Sequence, residues 1–431
     1  MDGVRHVSVA GAPARPRLRV LLSAYACEPS KGSEPGIGWN WALGLARAGH
    51  EVWVLTRANN RAAIEQALAA SEETEPHANL HFIYYDLPSW ARWWKRGARG
   101  VRTYYLLWQW GAYRRARRLC RETRFDLVHH LTFGVFRHPS FMGRLGLPFV
   151  FGPVGGGETA PRALRGSFPL RGVVVDLARD LANWLVRIDP VMASVYRRAA
   201  VTLCKTAETL DRIPGKYRSK CRVHLEVGTR EDPHPLPHRY SQQERFRVLY
   251  VGRLVYWKGL HLGMMAFARL LERHPEAHLT VVGSGPDEAW LHAVAERLGI
   301  GASVTWMRWL ERDAVLQVYP RHDVFLYPSL HDSSANVVLE ALTAGLPVVC
   351  LKLGGPGELV DGSCGVRVHA GKTAQVVRGL GRALVALADE PRLLQRMSDS
   401  AMRRAHSQFS WTRQIERMEA LYFELRPAGG A

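Results

Sequence analysis

Arg247-Val-Leu-Tyr-Val-Gly-Arg-Leu-Val-Tyr-Trp-Lys-Gly259 decides how this chain is read. A β-branched, apolar run stops at Gly252, and helical periodicity runs from Gly259 to Arg273. That order predicts a buried strand feeding a helix. Downstream, His278 to Gly285 reads as a strand and turn. Val304-Thr-Trp306, Val324-Phe-Leu-Tyr327 and Pro347-Val-Val-Cys350 read as further short strands. The first half repeats the plan. Leu18 to Tyr25 is a strand, a glycine-rich loop follows, and Trp39 to Ala48 is helical before Gly49. Glu51 to Thr56, His81 to Tyr85, Phe125 to Leu131 and Pro148 to Pro153 are strands. Strands separated by helix-length segments imply parallel sheets with helices on both faces. The expected fold is therefore α/β, with two Rossmann-like doubly wound domains facing each other across a cleft. The expected boundaries are 1–228 and 229–409, with the proline-rich Glu231–His238 as linker. The terminal helix, 410–425, is expected to pack back on the first domain.

The 431 residues are 47% hydrophobic and 23% charged, a composition that builds cores and argues against disorder. The longest uncharged run, Leu145 to Gly157, is too short and too rich in glycine and proline to span a bilayer. No apolar segment marks the N-terminus as a signal peptide. Six scattered cysteines form no C-x-x-C, so they read as reduced packing residues of a cytoplasmic protein. The formal net charge is +19, and residues 1–228 hold 34 Lys/Arg against 18 Asp/Glu. So basic a half suggests an anionic partner.

Three motifs in the second half carry chemistry. In the first, Arg253 and Lys258 follow the strand end at Gly252 and can converge on one anionic group. The second, Val281-Val-Gly-Ser-Gly-Pro286, puts Gly283 where a ligand could approach the backbone. The third is His331-Asp-Ser-Ser-Ala-Asn-Val-Val-Leu-Glu-Ala-Leu342. A helix is expected to begin near Ser333 or Ser334, leaving the amides of Ser334, Ala335, Asn336 and Val337 as an anion site. Surface charge and a solvated helix face are the plain alternatives for these residues.

Together the motifs resemble the retaining GT-B glycosyltransferases of family 4. The chain has Gly252-Arg253-Leu254, Lys258-Gly259 and Asp332-x7-Glu340, with Asp where the family usually has Glu. Phe409-Ser-Trp411 before the last helix fits as well. The resemblance implies a GT-B fold and a nucleoside-diphosphate sugar donor. It implies that Arg253 and Lys258 neutralise the leaving diphosphate, Glu340 holds the ribose and Asp332 meets the transferred sugar. Retention of configuration is likewise implied, with no metal and no cofactor needed. The segment Trp306 to Trp309 is a candidate for flanking the base.

The acceptor side is expected in the first half. Gly36 and Gly38 stand at a helix entry where amides could face the diphosphate. Glu28, Glu34 and Glu158 are candidates for acceptor hydroxyls, with loop and helix capping the alternative for the first two. His129 and His130 end a strand, and neighbouring strand residues face opposite ways, so one of the pair is expected in the cleft. Leu87 to Arg118 holds nine Lys/Arg, eight Trp/Tyr and no acid. That mixture suits an anionic membrane surface, the alternative being aromatics packed on the sheet. No nucleic-acid module is recognisable.

The expected protein is a peripheral, cytoplasmic transferase at the inner membrane face. Its acceptor is expected to be a lipid-linked or growing glycan of the cell envelope or an exopolysaccharide. An epimerase or phosphorylase on the same fold, or a non-catalytic binding protein, are the rivals.

Overall fold

The computed structural model describes residues 16–71, 78–91, 100–229, 245–308 and 310–426. The expected linker Glu231–His238, together with Trp93, Trp94 and Trp309, lies outside them.

Two all-parallel sheets form the frame. The first has seven strands, β1 (Arg19–Ser23), β2 (Glu51–Arg57), β3 (Leu80–Tyr85), β4 (Leu127–His130), β5 (Phe149–Val154), β6 (Val201–Cys204) and β7 (Cys221–Val223), in the order β3-β2-β1-β4-β5-β6-β7. The second has six, β8 (Arg247–Val251), β9 (His278–Val282), β10 (Val304–Met307), β11 (Val324–Tyr327), β12 (Val348–Leu351) and β13 (Gly365–Val368), in the order β10-β9-β8-β11-β12-β13. β1, β4, β8 and β11 are almost wholly buried, as strands covered on both faces must be. The order reverses between β1 and β4 and between β8 and β11. Those reversals open crevices at the carboxyl ends of the strands, where doubly wound folds bind ligands.

Three strands escape the sequence reading: β6, β7 and β13. Each is only three or four residues long, and polar or glycine residues interrupt its apolar run. The first helix starts at Ser33, six residues before the expected Trp39, because Gly36 and Gly38 lie inside it. A Cβ on Gly36 would come within 2.0 Å of the Lys31 carbonyl oxygen, and one on Gly38 within 2.2 Å of that of Ala26. Glycine here lets the helix press on its own entry loop.

The Trp411–Leu425 helix returns to the first domain. Ser410 caps it by accepting from the Arg413 N–H. Its Trp411 packs edge-on against Trp41, and Gln414 donates to the Leu225 carbonyl at 2.9 Å. Ile415 occupies the space a side chain on Gly44 would need. The chain thus crosses between domains twice, side by side, with Thr229 bridged to Ser410.

His129 and His130 point to opposite faces of β4. His129 Nε2 donates to the Gly152 carbonyl at 2.6 Å, which leaves Nδ1 to accept from the Tyr422 hydroxyl at 2.6 Å. His130 Nε2 lies 3.2 Å from the Tyr105 hydroxyl and its ring packs on Phe151. Burial lowers both, to about 4 for His129 and about 3 for His130, and holds His224 at about 4. All three are neutral when folded near pH 7, and in the unfolded chain they titrate near 6.5. Between those values the unfolded chain takes up protons that the folded one refuses. Stability should therefore fall as pH drops from about 6.5 towards 4, by up to about 1.4 kcal/mol per pH unit for each ring. Urea unfolding between about pH 7 and pH 5 measures the slope, and a flat profile there contradicts the assignment. Tyr422→Phe should cost about 1–3 kcal/mol by stranding His129 Nδ1, read from the urea midpoint.

Candidate active site

The carboxyl ends of β8 and β11 bring the second-half motifs together. Lys258 ends a short helical turn, Tyr256–Lys258, after β8, and Asp332 lies in the loop after β11. The Lys258 ammonium pairs with the Asp332 carboxylate and donates to the Tyr327 hydroxyl at 2.6 Å. Tyr327 in turn donates to Asp332 Oδ2 at 2.7 Å. Burial alone would raise the Asp332 carboxyl. The Lys258 charge and hydrogen bonds from Lys258, Tyr327 and the Ala335 N–H outweigh it, holding the carboxyl below its ordinary value. Arg253 does not join this pair. It is exposed, and no ion pair holds its guanidinium among the described residues.

Gly252 and Gly283 meet each other. Gly283 has φ +144°, and a Cβ there would come within 2.1 Å of the Gly252 carbonyl oxygen. Close approach of two strand ends therefore accounts for glycine at 283 without a ligand.

The helix carrying Glu340 begins at Asn336, later than the expected Ser333 or Ser334. Ala335 sits in the left-handed region, φ 52° and ψ 51°, which turns the chain into the helix. Both serine hydroxyls are drawn away across the seam. Ser333 Oγ donates to Glu158 Oε2 at 2.6 Å and accepts from the Gly156 N–H at 3.1 Å. Ser334 Oγ donates to Glu226 Oε1 at 2.7 Å and accepts from Lys205 Nζ at 3.2 Å. No side chain caps the helix, so its first amides stay open to an anion. Glu340 lies just over one turn into the helix. Tyr319 donates to its Oε2 at 3.1 Å, and Arg312 approaches its Oε1 at 3.7 Å. Burial raises the Glu340 carboxyl above its ordinary range despite Arg312.

Glu158, expected to meet an acceptor hydroxyl, is fully buried and already served. Besides Ser333, its oxygens accept from Thr206 at 2.6 Å, Thr209 at 2.7 Å and the Gly156 N–H at 2.8 Å. These bonds outweigh the cost of burial and hold its pKa low. Glu34 accepts from the Phe133 N–H at 3.1 Å and faces Lys205 at 3.6 Å. Glu28 pairs with Lys31 at 3.7 Å, and its N–H bonds the Pro35 carbonyl, folding the entry loop. Neither His129 nor His130 reaches the seam cavity, since both are packed inside the first domain.

That cavity, ≈ 530 Å³, lies between the first helix and the Asn336–Thr343 helix. Gly36 and Lys31 line it from one domain, and Asn336, Glu340, Arg312 and Tyr319 from the other. Lys258, Asp332 and Arg253 do not line it. The structure thus separates the predicted set into a group on the cavity (Gly36, Asn336, Glu340) and a pair, Lys258 with Asp332, at the neighbouring strand ends. Among the described residues no cluster of His, Cys, Asp and Glu is disposed to hold a metal ion.

Sequence reasoning missed Lys205 and Glu226. Lys205 follows β6 and is buried between Glu226 Oε1 at 2.6 Å and Glu34. Burial opposes its charge, but the two carboxylates prevail and raise its pKa. The only available signal was a lysine closing the apolar run Ala199–Cys204. Arg312 and Tyr319 gave none, because only folding brings them to Glu340.

Residues 238–403 match the family model described as glycosyl transferases group 1. A D-inositol 3-phosphate glycosyltransferase of Corynebacterium jeikeium is 35% identical over 239 residues, 53% of each chain. A glycogen synthase of Mycobacterium tuberculosis is 34% identical over 165 residues, 38% of this chain and 39% of that protein. The chain thus spans about two-fifths to half the length of these relatives. The catalytic domain of starch synthase IV from Arabidopsis thaliana, bound to ADP and acarbose, aligns with 95% of this chain and 99% of its own at TM-score 0.65 and 14% identity. The fold is GT-B: two Rossmann-like domains facing across a cleft.

Lys205→Met tests the buried cluster. It strands Glu226 and Glu34 without a counter-charge and should cost about 3–5 kcal/mol, read by urea unfolding. Glu226→Gln in the same background should recover part of the loss, and an unchanged Lys205→Met protein contradicts the assignment.

Proposed function

We propose that the protein transfers a sugar from a nucleoside-diphosphate sugar to a hydroxyl of a lipid-linked or growing polysaccharide acceptor, with retention of configuration, as a family 4 enzyme of cell-envelope or exopolysaccharide synthesis. The observation that carries the reading is the ≈ 530 Å³ cavity bounded by Gly36 on one domain and by Asn336 and Glu340 on the other. The similar proteins named as a glycogen synthase and a D-inositol 3-phosphate glycosyltransferase support the sugar-transfer part of the reading.

In this reading Glu340 accepts from the ribose hydroxyls, and the uncapped amides from Asn336 meet the diphosphate. Ser334, Ala335 and Val337 complete that backbone cradle, with Gly252 and Gly283 flanking it. Lys258 leaves Asp332 for the departing phosphate as charge develops there, Arg253 swings in from solvent, and Asp332 turns to the sugar. Such prearranged charge stabilises the transition state more than the ground state. The leaving phosphate takes the proton of the acceptor hydroxyl, so neither a metal nor a cofactor enters. Glu158 would reach an acceptor only after the domains part and its Ser333 bond breaks, Glu28 and Glu34 stand at the first domain's entry loop and first helix for the same role, and His129 and His130 stay packed inside that domain.

Peripheral attachment at the inner membrane face belongs to the same reading. Arg114, Arg115, Arg117, Arg118 and Arg121 are all exposed on the Val101–Glu122 helix. Tyr104, Tyr105, Trp108 and Tyr113 are buried in the core, so Trp90 and Trp110 are the exposed aromatic residues of this segment among the described residues. No helix among the described residues is long and apolar enough to cross a membrane.

A panel of UDP-, GDP- and ADP-sugars, read by nucleotide release and thermal shift, tests the proposal. One donor should stabilise the protein and be consumed when an acceptor is added. Lys258→Ala should lower kcat/KM by about 10²–10³-fold. Glu340→Ala should act mainly on KM. Silence towards every donor would sink the reading.

A further inference from the structure

The helix Leu170–Leu185 and the turn beyond it carry an apolar stripe that no described residue covers. Leu170, Val174, Leu177, Leu181, Trp184 and Ile188 recur at alternating four- and three-residue steps, so they share one face. They are 51% (Trp184) to 88% (Leu170) exposed, and Val175 and Leu185 widen the stripe. Sixteen residues make the helix about 24 Å long. Scattered exposed leucines are ordinary on a protein surface, whereas a continuous stripe of this length marks an interaction site.

The opposite face is fixed. Asp176 is buried and accepts from the Tyr256 hydroxyl at 3.0 Å, with His331 Nε2 at 3.6 Å. Arg179 bonds the Glu158 and Gly156 carbonyls, and Tyr256 packs over Gly172. The helix is therefore held firmly while presenting its stripe outward.

The charges around the stripe choose the partner. Between residues 159 and 206 the only acids are Asp176, Asp180 and Asp189. None is available on the outer face. Asp176 is buried, Asp180 pairs with Arg165 at 2.7 Å, and Asp189 caps the next helix by accepting from the Val191 and Met192 N–H groups. Arg162, Arg187, Arg197 and Arg198 are exposed. An apolar stripe with a tryptophan, flanked along the chain by exposed arginines and by carboxylates that are buried, paired or capping, suits a bilayer bearing anionic headgroups. A second copy fits less well. A two-fold contact presses the face against itself, and its arginines then meet arginines.

We infer that the stripe from Leu170 to Ile188 is a docking surface for an anionic lipid bilayer. It is distinct from the basic Val101–Glu122 helix. Through Asp176 and His331 its inner face adjoins Asp332. An acceptor held in the bilayer by an apolar anchor would therefore arrive beside the Lys258–Asp332 pair, a consequence that rests on the transferase reading above.

The test is sedimentation of the full-length protein with phosphatidylcholine vesicles, with and without phosphatidylglycerol. Binding should require the anionic lipid. The variant L177Q/L181Q/W184Q should lose at least about tenfold in vesicle affinity while its circular dichroism and thermal midpoint hold. R117Q/R118Q on the Val101–Glu122 helix should lose less. Absence of wild-type binding, equal binding to both vesicles, or a stripe variant that binds like wild type each overturn the inference. So does a wild-type dimer, seen by sedimentation equilibrium, that the stripe variant converts to monomer. Vesicle binding needs no sugar donor, so it stands or falls apart from the donor panel.

Discussion

A buried carboxylate and a buried ammonium of the first domain hold the loop on which the second domain's chemistry depends. Glu158 takes the hydroxyl of Ser333 and Lys205 holds that of Ser334. Neither group could stay charged in the interior alone. Glu158 is kept ionised by its ring of donors, and Lys205 by Glu226 and Glu34. Between the two serines and Asn336 lies Ala335 in its left-handed conformation, a costly geometry for a residue with a side chain unless both flanks are pinned. The seam bonds pin one flank and the helix the other. The uncapped amides at Asn336 and the position of Glu340 follow from that turn.

The same bonds close the cleft. They connect the strand ends of one sheet to those of the other, so the cavity beside Glu340 is bounded by both domains at once. Opening requires Glu158 and Lys205 to give up their serines while keeping their partners within the first domain. Each retains those partners: Thr206 and Thr209 for Glu158, Glu226 for Lys205. Separation therefore exposes hydroxyls without stranding a charge. The two adjacent crossings at Thr229 and Ser410 supply a place about which such a movement can turn.

Aromatic and aliphatic residues exchange the roles composition suggests. The tryptophan- and tyrosine-rich segment before residue 118 turns Tyr104, Tyr105 and Trp108 inward, where Tyr105 and Trp108 pack with Tyr25 and the three bond Asp86, His130 and the Tyr85 carbonyl in turn. Buried hydroxyls and indole N–H groups need such partners, and the sheet edge provides them. The helix from Leu170, plain in composition, leaves the larger set of apolar side chains in water, beside only Leu106, Leu107 and Trp110 on the helix from Val101.

The sequence alone determined the strand-helix alternation, the two sheets and the order of the motifs. Each of these is a local pattern: apolar runs, glycines at strand ends, periodicity in between. It also brought Lys258 and Asp332 into view, because both close strands of one sheet. Only the tertiary structure decided that Lys258 holds Asp332 while Arg253 stays in solvent, that Glu158 and Lys205 clasp the serines, and that His129 serves Tyr422 from a helix nearly three hundred residues later. Those outcomes depend on which distant groups share a low-dielectric space. Burial sets both the cost of an unpaired charge and the strength of a paired one, and burial cannot be read from neighbours in the chain.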